Sequence, residues 1–258
     1  MKTLRSTYLR GIFESCVIPF GKQGNVDVAV LREVLNYIFS QGGKGKGKVC
    51  FVNPAIAELQ TLTDEERRKV MQTMLDVTGE SVAIGAQGAI RPTVKGQIML
   101  AKEAKKVGAA IFKFVPPRLN GGTTESERYQ AIVKIMENVD ISFLIYNTSN
   151  FGGVSLTPTQ IVQLADKFDN FVVLESAELT HIAYLKRMLG NRLSCVSISE
   201  AAGLMSMVLG GDGYFSGNPL LLGKSITLYK LCEAGRFDAA RGFYNKNYRL
   251  FSLGNFPV

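Results

Sequence analysis

Three side chains in this sequence stand where proton or amine chemistry could be done. Lys113 lies within Ala109-Ala110-Ile111-Phe112-Lys113-Phe114-Val115-Pro116, Tyr146 comes near the end of Ile141-Ser142-Phe143-Leu144-Ile145-Tyr146-Asn147, and Glu175 comes near the end of Phe171-Val172-Val173-Leu174-Glu175-Ser176. Each sits in an apolar run that reads as a buried strand, so its neighbours strip it of water. Burial disfavours the charged form: a lysine amine becomes more nucleophilic as its pKa falls, and a glutamate rises into the range useful for proton transfer. Structural roles account for the same residues equally well. Lys113 and Glu175 could pair with one another from strands two apart, Glu175 could accept from a loop amide, and Tyr146 could be a core aromatic whose hydroxyl finds a backbone partner.

The elements that would position these groups alternate regularly. Apolar, β-rich runs occupy 11–20, 49–53, 82–87, 109–116, 141–147, 171–176, 193–199 and 213–217, and stretches of helical period separate them. Thr63-Asp64-Glu65-Glu66 and Thr124 to Glu127 read as capping boxes, and Thr157-Pro158 puts proline in a first helical turn. Several strands are continuously apolar, as parallel strands buried on both faces must be. Eight strand–helix repeats without a break in composition predict an α/β fold, a (β/α)8 TIM barrel over 1–218, with the last barrel helix and a shortened C-terminal helical extension over 219–258. The rival is an open doubly wound sheet, but the turn Pro19-Phe20-Gly21-Lys22-Gln23-Gly24 lacks the glycine fingerprint of a dinucleotide site. In a barrel the chemistry sits at the C-terminal strand ends. Those ends carry Asn53-Pro54-Ala55-Ile56, Lys113 and Pro117-Arg118, Tyr146-Asn147, Glu175 and Ser216.

Composition narrows the partners. The 258 residues are 46% hydrophobic and 20% charged, enough for a sizeable core. The formal charge of +8 is spread along helical segments, and the dense Gly43-Lys44-Gly45-Lys46-Gly47-Lys48 cluster reads as a solvated loop. Neither nucleic acid nor a membrane is expected as a partner. The four cysteines, at 16, 50, 195 and 232, show no paired spacing and read as reduced thiols. With His181 the one histidine, no metal site is expected, and no cofactor motif is present. The N-terminus lacks an apolar targeting core and no stretch reaches the roughly 18 apolar residues of a membrane span, so a cytoplasmic location is expected.

Taken together, the strand ends resemble the dihydrodipicolinate synthase and N-acetylneuraminate lyase family. The likeness rests on Ile18-Pro19-Phe20, Glu58 with Thr61-Leu62-Thr63 and Glu66-Arg67, Tyr146-Asn147, Gly210-Gly211-Asp212-Gly213-Tyr214-Phe215-Ser216, and Ala234-Gly235 with Asp238-Ala239-Ala240. The resemblance implies a class I aldolase: a strand-six lysine forms a Schiff base with pyruvate or another 2-oxo acid, and a strand-five tyrosine, here Tyr146, shuttles protons. At the lysine's place this chain has Glu175, which cannot form an imine. The two threonines of the substrate site correspond to Ala55 and Ile56, the preceding glycine to Pro54, the arginine after Tyr-Asn to Phe151, and an aromatic pair to Pro117-Arg118.

The resemblance therefore implies a divergent member in which the strand-six reaction is lost, with a changed or lost activity on a small 2-oxo acid or related metabolite. Tyr146, Glu175 and Lys113 are the candidate catalytic groups; Ala55, Ile56, Asn147, Phe151 and Ser216 are the candidate substrate contacts. Two alternatives stand beside it: an active lyase that uses Lys113 as a relocated Schiff-base lysine, and a non-catalytic barrel kept for binding or assembly. A homo-oligomer is expected from the family.

Overall fold

The computed structural model describes residues 8–43, 49–50, 61–78, 85–87, 91, 93–114, 124–148 and 155–252. Among them eight parallel strands form one sheet: β1 Gly11–Glu14, β2 Val49–Cys50, β3 Gly85–Gln87, β4 Ile111–Phe114, β5 Ser142–Asn147, β6 Phe171–Ser176, β7 Ser194–Ser197 and β8 Gly213–Ser216. Their order is β2-β1-β8-β7-β6-β5-β4-β3. The first and last strands lie side by side, in register Gly11↔Gly213 to Glu14↔Ser216. A doubly wound sheet keeps its first strand away from its last, so this order favours the barrel arrangement over the rival.

Helices follow the strands as the start signals require. They are α1 Val28–Ile38, α2 Asp64–Thr78, α3 Val94–Val107, α4 Glu125–Asn138, α5 Pro158–Lys167, α6 Leu179–Leu189, α7 Gly203–Val208, α8 Leu222–Glu233 and α9 Phe237–Phe251. The Thr124 hydroxyl accepts from the Glu127 amide while the Glu127 carboxylate accepts from the Thr124 amide, a completed capping box. Thr63 and Glu66 make the same exchange before α2, and Thr157 caps α5 with Pro158 at its start and Gln160 reaching back. No helix among the described residues is long and apolar enough to cross a membrane.

The apolar core falls into two clusters. Phe13, Ile111, Leu144, Val173, Val196 and Phe215 belong to one apolar cluster, and Phe112, Phe143, Ile145, Leu174 and Cys195 pack with residues of α3 to α6 in the other. The Lys113 Nζ lies 4.1 Å from the centre of the Phe215 ring, although three strands separate β4 from β8 in the sheet. The sheet is therefore rolled around a shared interior. Strand β1 is shorter than the apolar run 11–20: beyond the Ser15 amide, which still donates to the Ser216 carbonyl, the chain leaves the ladder and exposes Val17.

At the N-terminal strand ends Asp212 gathers a polar knot. It accepts from Tyr8, from Lys186 Nζ at 2.9 Å and from the Cys195 amide at 2.8 Å, with Arg10 at 3.9 Å. Cys16, Cys195 and Cys232 are buried free thiols.

Candidate functional site

Lys113 and Glu175 meet inside the rolled sheet. Lys113 projects from β4 and Glu175 from β6, across the width of β5, and Lys113 Nζ lies 2.6 Å from Glu175 Oε2 with each side chain at most 4% exposed. The contact is a close ion pair, although its alignment falls short of a regular hydrogen bond. Two aromatic rings flank the lysine: Phe215 at 4.1 Å and Tyr146 at 4.8 Å from Nζ to ring centre. Phe13 stacks on Phe215 from β1 at 5.3 Å.

Burial strips both groups of most of their hydration, and the electrostatics follow from that. Loss of hydration lowers the lysine's pKa, and the neighbouring carboxylate opposes the fall. Loss of hydration likewise raises Glu175, to about 7, against the pull of Lys113. The two titrate as a unit. Tyr146 stands directly opposite Glu175 in the β5–β6 register, and burial, with the Glu175 charge second, pushes its hydroxyl up to about 12. It stays protonated at neutral pH and can serve as a donor.

The remaining expected contacts divide three ways. Asn147 is buried and its amide is committed to the backbone: Nδ2 donates to the Leu156 carbonyl at 3.1 Å and Oδ1 accepts from the Leu156 amide at 2.7 Å. Ser216 follows the inward Phe215 and so falls on the helix side of the sheet, where its hydroxyl lies near Glu14 and Glu200. Ala55, Ile56 and Phe151 lie outside the described residues, as do Pro54, Glu58, Pro117, Arg118 and the lysines of the 43–48 cluster.

Several groups at the same strand ends escape a reading of the sequence. Glu14 is fully buried, neither of its oxygens has a regular hydrogen-bond partner, and burial, reinforced by the nearby Glu200 charge, drives its pKa well above the usual carboxylate range despite help from Ser216. Glu200 Oε1 accepts from the Gly217 amide at 3.0 Å and steadies the turn after β8. The Ser15 hydroxyl is buried and has no partner among the described residues. The signal that could have found these is the pair Glu14-Ser15 placed at the end of an otherwise apolar strand. Among the described residues no group of three or more His, Cys, Asp or Glu side chains is placed to hold a metal ion.

Known proteins resemble this chain over nearly its whole length. The profile of the Dihydrodipicolinate synthetase family matches residues 8–253. The 4-hydroxy-tetrahydrodipicolinate synthase of Chlorobaculum parvum is 28% identical over 248 residues, 95% of this chain and 82% of that protein. Among solved structures, dihydrodipicolinate synthase from Aquifex aeolicus superposes with a TM-score of 0.84 at 23% identity, over 97% of this chain and 84% of that one. N-acetylneuraminate lyase from Fusobacterium nucleatum does so with 0.81 at 18%, over 94% and 82%. The shared fold is TIM-barrel-like.

Proposed function

The chain belongs to the Dihydrodipicolinate synthetase family, and from that premise we propose that it is a divergent member in which strand-six imine chemistry has given way to acid–base chemistry on a small 2-oxo acid. We take the sheet to close into a (β/α)8 barrel by pairing β2 with β3, with the helical segment from 219 onward as its extension, and the molecule to be a cytoplasmic homo-oligomer.

One observation carries this proposal: the 2.6 Å contact between Lys113 and Glu175 in the buried interior. A carboxylate held near neutrality by burial can take a proton from the carbon beside the ketone, with the C–H electron pair moving into the enolate. The Lys113 ammonium beside it can stabilise the charge that develops on the enolate oxygen, an interaction strengthened by the dry surroundings. Tyr146 supplies a hydroxyl from the same side. The proton then returns from Glu175 to the carbon, or to a leaving group.

Deuterium exchange at C3 of pyruvate in D2O, followed by NMR, tests this without knowledge of the product. We expect measurable exchange that rises with pH through about 7, because the base must be ionised, and falls by roughly 10²- to 10⁴-fold in Glu175→Gln. Exchange unchanged in that variant would overturn the proposal.

A second reading has its own support, the inward face and lowered pKa of Lys113. Its neutral amine could add to the ketone and lose water to an iminium, with Glu175 carrying the proton to the departing hydroxyl. Borohydride with pyruvate would then fix a mass increase on Lys113, and an unmodified lysine would remove this reading. Absence of both exchange and adduct would leave a barrel that serves binding or assembly.

A further inference from the structure

Just past the end of β1, the Ser15 hydroxyl has no hydrogen-bond partner among the described residues. That Oγ is buried, with the residue 2% exposed, while the backbone amide remains in the ladder through the Ser216 carbonyl. Other buried serine hydroxyls also lack a partner, but this one sits on the interior face that carries Lys113 and Glu175, where a bound ligand would satisfy it.

Its direction follows from its neighbours. Phe13 faces the interior, because it stacks on Phe215, whose ring lies against Lys113. Alternation puts Ser15 on that same face, one step nearer the C-terminal end. The opposite face is accounted for: Glu14 lies there with Ser216 and Glu200, and Cys16 feels the Glu14 charge.

Its level follows from barrel packing, in which even and odd strands contribute alternate layers. Lys113, Glu175 and Phe215 come from β4, β6 and β8 and touch one another through Lys113. Tyr146 comes from β5 and Ser15 extends β1, so both belong to the odd-strand set, on opposite walls.

We propose that Ser15 is a substrate-binding residue whose hydroxyl donates to the carboxylate of a small 2-oxo acid held above the Lys113–Glu175 pair, facing Tyr146 across the mouth. This assignment rests on the acid–base proposal for the choice of ligand class. Its chemistry suits the charge: the ammonium is engaged by Glu175, and an incoming anion needs a neutral donor that is not already committed.

The test compares the wild type with Ser15→Ala and Ser15→Thr by thermal unfolding with and without pyruvate, and by the KM and kcat of C3 exchange. Without pyruvate, Ser15→Ala should melt at or above the wild-type temperature, because it deletes a buried hydroxyl that makes no bond. The pyruvate concentration giving half the thermal shift, and KM with it, should rise roughly tenfold or more, the size of a lost hydrogen bond to a charged group, with kcat little altered. Ser15→Thr should restore most of the affinity. Wild-type affinity in Ser15→Ala, a lower melting temperature without any change in affinity, or a wild type that pyruvate does not stabilise would each overturn the assignment. The two proposals fail separately. Exchange lost in Glu175→Gln beside normal affinity in Ser15→Ala sinks Ser15 alone, whereas a Ser15-dependent pyruvate shift without exchange sinks the acid–base chemistry alone.

Discussion

Lys113 and Glu175 present an energetic problem before they present a catalytic one. Each charge loses its hydration, and their attraction only roughly offsets that loss, so removing one partner harms more than removing both. Lys113→Met alone should cost about 3–5 kcal/mol in urea unfolding, and the double variant Lys113→Met with Glu175→Leu should recover most of it or exceed the wild type. Recovery would mean that the pair persists for something other than stability. Glu14 offers a contrasting case of a buried acid with no cation paired to it among the described residues. Its pKa in the folded state lies well above the unfolded value, so its contribution is fully present below about pH 4.5 and is lost as pH rises toward the folded value. Glu14→Gln, which needs no proton to be neutral, should therefore raise the melting temperature at pH 8 and change it little at pH 4.5.

Elements were more legible in the sequence than the contacts they make. The capping signals at Thr63, Thr124 and Thr157 are realised in the helices that follow, because such signals act within four residues and do not depend on tertiary context. Thr157→Ala should lower stability by about 1 kcal/mol, measured as a shift of the urea midpoint with an unchanged slope. The run Phe171–Ser176 is a strand over its full length, whereas the run 11–20 keeps only Gly11–Glu14. β6 pairs with β5 and β7 as far as Ser176, whereas the β1–β8 ladder ends with the Ser15 amide on the Ser216 carbonyl. The pairing of Lys113 with Glu175 could be named from the sequence as a possibility, since strand order brings β4 and β6 near. The inward face of Lys113 could not, because a strand buried on both sides carries no alternation to reveal it. Phe215 beneath the lysine was hidden for the same reason, and Gly213 shows how tightly such strands pack: a Cβ there would lie 1.8 Å from the Gly11 carbonyl oxygen.

Over the whole molecule, opposite ends of the sheet do different work. The Lys113–Glu175 pair lies toward the C-terminal strand ends, and the Asp212 knot ties β7, β8, α6 and the segment before β1 at the other. Asp212→Asn should leave Lys186 poorly paired and cost about 3–5 kcal/mol, yet leave the pH profile of C3 exchange in place, as measured on the folded fraction. The knot has one more consequence. Tyr8 and Asp212 join the start of the first strand to the start of the last by side chains as well as by the β1–β8 ladder, so this contact does not depend on an uninterrupted backbone elsewhere. A circular permutant opened at the turn between α4 and β5, near the exposed Asn138 and Asp140, should keep the native circular dichroism spectrum, because the seam it would have to preserve is already stitched.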